Sequence, residues 1–217
     1  MELYLDTAKI EEIEEGVELG IISGVTTNPS LLAKANPTAP IEHLKKICSI
    51  VNGPVSAEVV STNYKDMVSE GLKISKISEN IVVKIPITED GLKATKVLSK
   101  ENVPVNMTLI FSESQAILAS LVGAAYISPF IGRLDDISYD GMKLVKSISE
   151  ILKTTNSKSK IIAASVRHPL HVVEAAKLGA HIATVPFKTL KQLVKHPLTD
   201  IGLEKFLSDS RGISIVS

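Results

Sequence analysis

Ile81-Val82-Val83-Lys84-Ile85-Pro86 is an apolar run of strand length broken by a single ammonium. It is apolar on both alternating sets of positions. A strand of that kind is buried on both faces, as in a parallel sheet covered by helices. A protonated lysine there costs several kcal/mol of desolvation unless it is paired, so burial favours the neutral amine. A neutral amine attacks carbonyl compounds and forms Schiff bases. The bland alternative is a strand-end lysine that snorkels to water.

Outward from this run, the pattern repeats. Strand-like stretches occur at Leu3–Asp6, Gly24–Asn28, Val55–Val60, Ile81–Pro86, Val103–Phe111, Tyr126–Gly132, Lys160–Val166 and His181–Phe187. Between them lie helical periodicities, such as Ile10, Ile13 and Val17, or Leu44, Ile47 and Val51, or Leu144, Val145, Ile148 and Leu152. Asp6-Thr7 and Ser112 read as helix starts, and Gly20, Gly123 and Gly179 as helix ends. Eight strand–helix repeats in 217 residues indicate an α/β fold, a (β/α)8 TIM barrel. An open doubly wound sheet is the alternative, weakened because no Gly-rich dinucleotide fingerprint follows the first strand. No linker or composition shift divides the chain. The expectation is one barrel domain over residues 1–217 with an additional C-terminal helix at about 198–210.

Bulk composition removes several function classes. Lys plus Arg and Asp plus Glu number 24 each, with no basic stretch, so nucleic acid is not expected as a partner. The acidic start Met1-Glu2-Leu3-Tyr4-Leu5-Asp6 lacks a secretory pattern, and no apolar stretch reaches membrane-spanning length. A cytoplasmic protein with no membrane partner is expected. The one cysteine, Cys48, excludes an intrachain disulfide and a cysteine-rich zinc site. His168 and His171 stand at i and i+3 with no third ligand nearby in sequence, so no metal site is assigned.

Strand side chains alternate between faces, and in a barrel one face lines the interior. With Lys84 taken as interior, other strands bring polar groups to the same face near their C-terminal ends. These are Asp6 after Tyr4, Thr26 and Asn28, Glu58 after Ser56, Asn106 and Thr108, Ser128 with Phe130, and Ser165 with Arg167. Barrel active sites are built at that end. Each residue has a plainer reading alone. Asp6 can cap a helix, Asn28 before Pro29 can form a turn, Glu58 can join a structural ion pair, and Arg133 can be a solvated loop residue. Asn106, Thr108 and Ser128 can simply satisfy one another. Arg167 beside Ser165 suits an anion, since guanidinium offers a bidentate fork to phosphate. Their coincidence favours a site.

Leu5-Asp6-Thr7-Ala8, Gly24-Val25-Thr26-Thr27-Asn28-Pro29-Ser30, Ile81–Pro86, Asn106-Met107-Thr108-Leu109-Ile110-Phe111, Ser128-Pro129-Phe130-Ile131-Gly132-Arg133 and Ala163-Ala164-Ser165-Val166-Arg167 resemble transaldolase signature segments in family order. The short length resembles the small subfamily that also holds fructose-6-phosphate aldolases. The resemblance implies a metal-free (β/α)8 enzyme without a cofactor, acting on small-molecule sugar phosphates in the pentose phosphate pathway. It implies Lys84 as the Schiff-base nucleophile and Asp6 as the proton acceptor for C3–C4 cleavage. Glu58, with Thr108, would handle proton transfers through a water. Thr26, Asn28, Asn106 and Ser128 would line the dihydroxyacetone site, Phe130 would wall it, and Arg133, Ser165 and Arg167 would take the phosphate. Glu58, Phe130 and Asn106 are similar to transaldolases, where the aldolases carry Gln, Tyr and an apolar residue. The resemblance also implies a homo-oligomer, a pentamer or decamer, with Leu198, Ile201, Leu203, Phe206 and Leu207 on the C-terminal helix suited either to a neighbour or to their own barrel. A non-catalytic sugar-phosphate binding barrel is the reading from another class.

Overall fold

The computed structural model describes residues 1–211; the last part of the expected domain, 212–217, lies outside the described residues. Eight parallel strands run in chain order: β1 (Glu2–Asp6), β2 (Ile22–Thr26), β3 (Val55–Glu58), β4 (Ile81–Pro86), β5 (Val105–Ile110), β6 (Tyr126–Pro129), β7 (Lys160–Ala163) and β8 (Ile182–Val185). Each pairs with the next, and β8 pairs with β1, closing the barrel. The helices are α1 (Ile10–Glu18), α2 (Pro29–Ala35), α3 (Pro40–Ile50), α4 (Tyr64–Ser75), α5 (Glu89–Lys100), α6 (Glu113–Leu121), α7 (Ile131–Asp135), α8 (Gly141–Thr154), α9 (Pro169–Lys177), α10 (Phe187–Leu193) and α11 (Pro197–Asp209). This is the expected (β/α)8 barrel with its C-terminal helix. No helix among the described residues is long and apolar enough to cross a membrane.

The outward strand face, including Leu5, Val25, Ala57, Val83, Ile85, Met107, Ile127, Ala163 and Val185, is buried beneath the helices. The helices meet it with their periodic stripes, such as Leu144, Val145, Ile148 and Leu152 of α8. Gly20, Gly123 and Gly179 follow α1, α6 and α9 at positive φ, as the sequence indicates for helix ends. Inside the barrel, Tyr4, Ile162 and Ile182 are buried in a cluster joined by Tyr126. Tyr4 fits because Gly24 faces it: a Cβ on Gly24 would stand 2.7 Å from the Tyr4 ring and 2.7 Å from the Pro54 carbonyl oxygen.

Several strands end earlier than the sequence suggests, for local reasons. β2 ends at Thr26 because Asn28 caps α2, its side chain accepting from Leu31 N at 2.9 Å with Pro29 opening the helix. β6 ends at Pro129, after which Ile131 begins the one-turn α7 that carries Gly132 and Arg133. β7 ends at Ala163, and Ser165 adopts φ +61° in the turn beyond. Asp6 does not cap α1, which starts at Lys9–Ile10 without a side-chain cap. Asp6 instead ends β1 and faces the barrel mouth.

Candidate active site

A cavity of about 520 Å³ opens at the C-terminal ends of the strands, and all twelve residues singled out from the sequence line it. Strand register explains the centre: Glu58, Lys84 and Asn106 are direct neighbours on β3, β4 and β5. Lys84 is 4 % exposed, so its head group does not snorkel. Its Nζ lies 3.1 Å from Glu58 Oε2 and donates to the Thr27 carbonyl at 3.2 Å. The amine is therefore not the unpaired group that burial alone suggests. A carboxylate and a carbonyl accept hydrogen bonds from the buried head group, which offsets its loss of water.

Asp6 sits across the mouth. Thr26 Oγ1 donates to Asp6 Oδ1 at 2.7 Å and shares a 2.6 Å bond with Thr184 Oγ1. Burial pushes the Asp6 carboxyl above its usual range, opposed by the Thr26 hydrogen bond and then by the Lys84 charge. A carboxyl so poised takes up a proton more readily than one in water, as a proton acceptor should.

A second network runs along the other side. Ser128 Oγ donates to Asn106 Oδ1 at 2.7 Å, and Asn106 Nδ2 donates to Ser56 Oγ at 3.1 Å. These residues do satisfy one another, but Thr108 does not join them. Its Oγ1 is buried without a hydrogen-bond partner within the protein, which leaves a hydroxyl for a bound molecule. At the rim, Phe130 packs edge-on against Phe111 with centroids 5.9 Å apart, and the Arg133 guanidinium stands 5.1 Å from the Phe130 centroid. Arg167 Nη2 is held by Asp136 at 2.7 Å, both half-exposed.

The strand-face argument succeeds for β1 to β6 and fails for β7. Ile162, not Ser165, sets the interior parity of β7 through its contact with Tyr4. Ser165 and Arg167 reach the cavity from the turn after the strand. Thr184 lines the cavity and was missed. Its place two residues after the interior Ile182 on the eighth strand was the available signal. Lys34 and Ser30 of α2 also border the mouth. Among the described residues, no group of three or more His, Cys, Asp and Glu has metal-binding geometry.

Known proteins resemble this chain over nearly its whole length. A family profile described as Transaldolase/Fructose-6-phosphate aldolase matches residues 3–212. A probable transaldolase from Thermodesulfovibrio yellowstonii is 56 % identical over 209 residues, 96 % of this chain and 97 % of the relative. Probable transaldolases from Clostridium kluyveri, 56 % over 209 residues (96 % and 97 %), and Thermoanaerobacter sp., 56 % over 211 residues (97 % and 97 %), are similarly close.

Proposed function

The chain belongs to the transaldolase/fructose-6-phosphate aldolase family, and from that premise we propose that it moves a dihydroxyacetone unit between sugar phosphates through a Schiff base on Lys84. The reaction in view converts sedoheptulose 7-phosphate and glyceraldehyde 3-phosphate to erythrose 4-phosphate and fructose 6-phosphate, a step of the non-oxidative pentose phosphate pathway. The observation that carries this reading is the buried Lys84–Glu58 contact at 3.1 Å in a cavity that also holds Asp6.

In this mechanism Lys84 passes a proton to Glu58 and adds to the ketose C2 carbonyl. The carbinolamine loses water, with Glu58 and the Thr108 hydroxyl guiding the protons, and a protonated imine remains. The C4 hydroxyl proton goes to Asp6 as the C3–C4 bond breaks. The bonding pair flows into the imine and leaves an enamine, and the aldehyde departs. An incoming aldehyde is attacked by the enamine carbon, and Asp6 returns its proton to the new hydroxyl. Water then hydrolyses the resulting imine with Glu58 moving the protons, which frees the new ketose and Lys84. Asn28, Asn106 and Ser128 hold the three-carbon unit, while Arg133, Ser165 and Arg167 take the distal phosphate. Phe130 brings no hydroxyl to order water beside the imine, which favours transfer over release of free dihydroxyacetone.

The site calls for no metal or cofactor in this scheme. A homo-oligomer is part of the proposal. On α11, Leu198, Ile201, Leu203, Phe206 and Leu207 are all exposed rather than packed on their own barrel. Truncation after Pro197 should then reduce the particle size in solution.

Borohydride treatment with fructose 6-phosphate, followed by peptide mass mapping, tests the chemistry. A reduced adduct on Lys84 is expected; binding without an adduct would point to a non-catalytic barrel. Turnover with and without glyceraldehyde 3-phosphate separates transfer from aldol cleavage, and transfer should dominate.

A further inference from the structure

The two guanidiniums at the cavity rim come from different segments. Arg133 lies on α7, and Arg167 on the turn between β7 and α9. Neither segment is held by a strand ladder at that point. Between them stands a buried imidazole with no role in the chemistry above. His171, on α9, is 6 % exposed. Its Nδ1 accepts the Arg167 backbone N–H at 3.2 Å, and its Nε2 lies 2.9 Å from Asp135 Oδ2 at the end of α7. A nitrogen that accepts a backbone N–H carries no proton, so the ring is the Nε2–H tautomer and donates to Asp135. Asp135 also accepts Gly141 N at 2.9 Å, which fixes the start of α8.

Two backbone contacts complete the brace. Ile131 N donates to Ala164 O at 3.0 Å. A Cβ on Gly132 would stand 2.0 Å from Ser165 O, so α7 and the turn approach as closely as main chains allow. We propose that His171 is a positioning residue for the anion seat: it locks the Arg167 backbone to α7 and so fixes Arg133 and Arg167 relative to each other. This inference rests on the phosphate role given to those two arginines. Burial, then charge on the neighbouring His168 ring (tilted, centroids 3.8 Å apart), lowers the His171 pKa, with Arg167 acting the same way and Asp135 opposing. The neutral form that the geometry needs is thereby favoured.

Three substitutions isolate the critical contact. His171→Asn keeps an acceptor near the Nδ1 position; His171→Gln reaches toward Asp135 but loses that acceptor; His171→Leu loses both. Gln and Leu are expected to raise KM for fructose 6-phosphate about tenfold, with kcat within about twofold. Borohydride trapping of unphosphorylated dihydroxyacetone on Lys84 should be unchanged in both. His171→Asn should stay within about threefold of the parent KM. Sulfate, which keeps its charge across the pH range used, should bind about tenfold more weakly to the Gln variant than to the parent or the Asn variant. If phosphorylated and unphosphorylated substrates suffer alike, or Asn does no better than Gln, His171 is only a structural residue and the inference is wrong. Should Leu fail to fold, the Asn and Gln pair still decides. Absence of any Lys84 adduct in the parent protein would overturn the proposed function, whereas the sulfate comparison would still judge His171.

Discussion

The lower and upper halves of the barrel interior are built by the same strands on the same alternating face, yet they follow opposite rules. Below, Tyr4, Ile162, Ile182 and Tyr126 fill the space with hydrocarbon and aromatic surface. Above, Asp6, Thr26, Glu58, Lys84, Asn106, Thr108, Ser128 and Thr184 bring charges and dipoles into a cavity. Two residues along a strand are enough to pass from one regime to the other: Tyr4 to Asp6, or Ile182 to Thr184. The lower half stabilises by close packing and area removed from water. The upper half carries an ion pair with little net stabilising effect and a carboxyl that burial disfavours in its charged form.

If that division is right, changes above should cost activity and changes below should cost stability. The largest effect is expected for Lys84→Met, which should reduce transfer by roughly 10⁴-fold or more. It should also destabilise by about 3 kcal/mol, because the partly buried Glu58 is left without its partner. Adding Glu58→Gln should recover most of that stability and none of the activity, as read by chemical denaturation and by turnover. Equal stability of the single and double variants would break the argument about the ion pair.

Asp6→Asn should lower turnover by roughly 10²- to 10⁴-fold, yet melt at a higher temperature than the parent protein at pH 7.5. The folded-state Asp6 carboxyl binds its proton more readily than the unfolded one. Its contribution to stability therefore falls as pH rises from the unfolded carboxyl range through the folded one. The advantage of the Asn variant should shrink as pH falls toward about 4. A lower melting temperature at pH 7.5 would contradict the direction assigned to Asp6.

In the lower half, Tyr4→Ala should cost about 3–5 kcal/mol in denaturant unfolding while leaving kcat within a few-fold below the melting range. Loss of catalysis on the same scale as at Asp6 would erase the distinction between the halves. The smallest effect belongs to the rim. Phe130→Tyr should raise release of free dihydroxyacetone relative to transfer by roughly severalfold, measured with and without an acceptor aldehyde.

The barrel was legible because its strands obey one rule throughout. Val83 and Ile85 face the helices, Lys84 faces inward, and the same alternation holds from Asp6 on β1 to Ser128 on β6. The centre of the site could be read for the same reason, since ladder pairing sets Glu58 beside Lys84 and Lys84 beside Asn106. Beyond the ladders the rule lapses. Strand parity grouped Ser165 and Arg167 with the interior residues, but they reach the cavity from the turn after β7, where the left-handed backbone at Ser165 redirects the chain. His171 looked like an unsupported metal ligand, since Asp135 lies 36 positions earlier and the Arg167 N–H is invisible in a side-chain pattern. The Lys84–Glu58 partnership was also open until register fixed it: desolvation could be inferred from the apolar run, but a cross-strand partner needs the pairing.

On the proposed function, the carbonyl-handling groups hang on hydrogen-bonded ladders while the arginines ride on a short helix and a turn, which would separate the reactive machinery from recognition of the substrate's tail. Drift in residues 131–140 and 165–171 can alter which tails are accepted without disturbing the nucleophile's surroundings. On that reading one catalytic hub would serve a changing set of sugars, with innovation confined to the part of the chain that the barrel ladders do not hold in place.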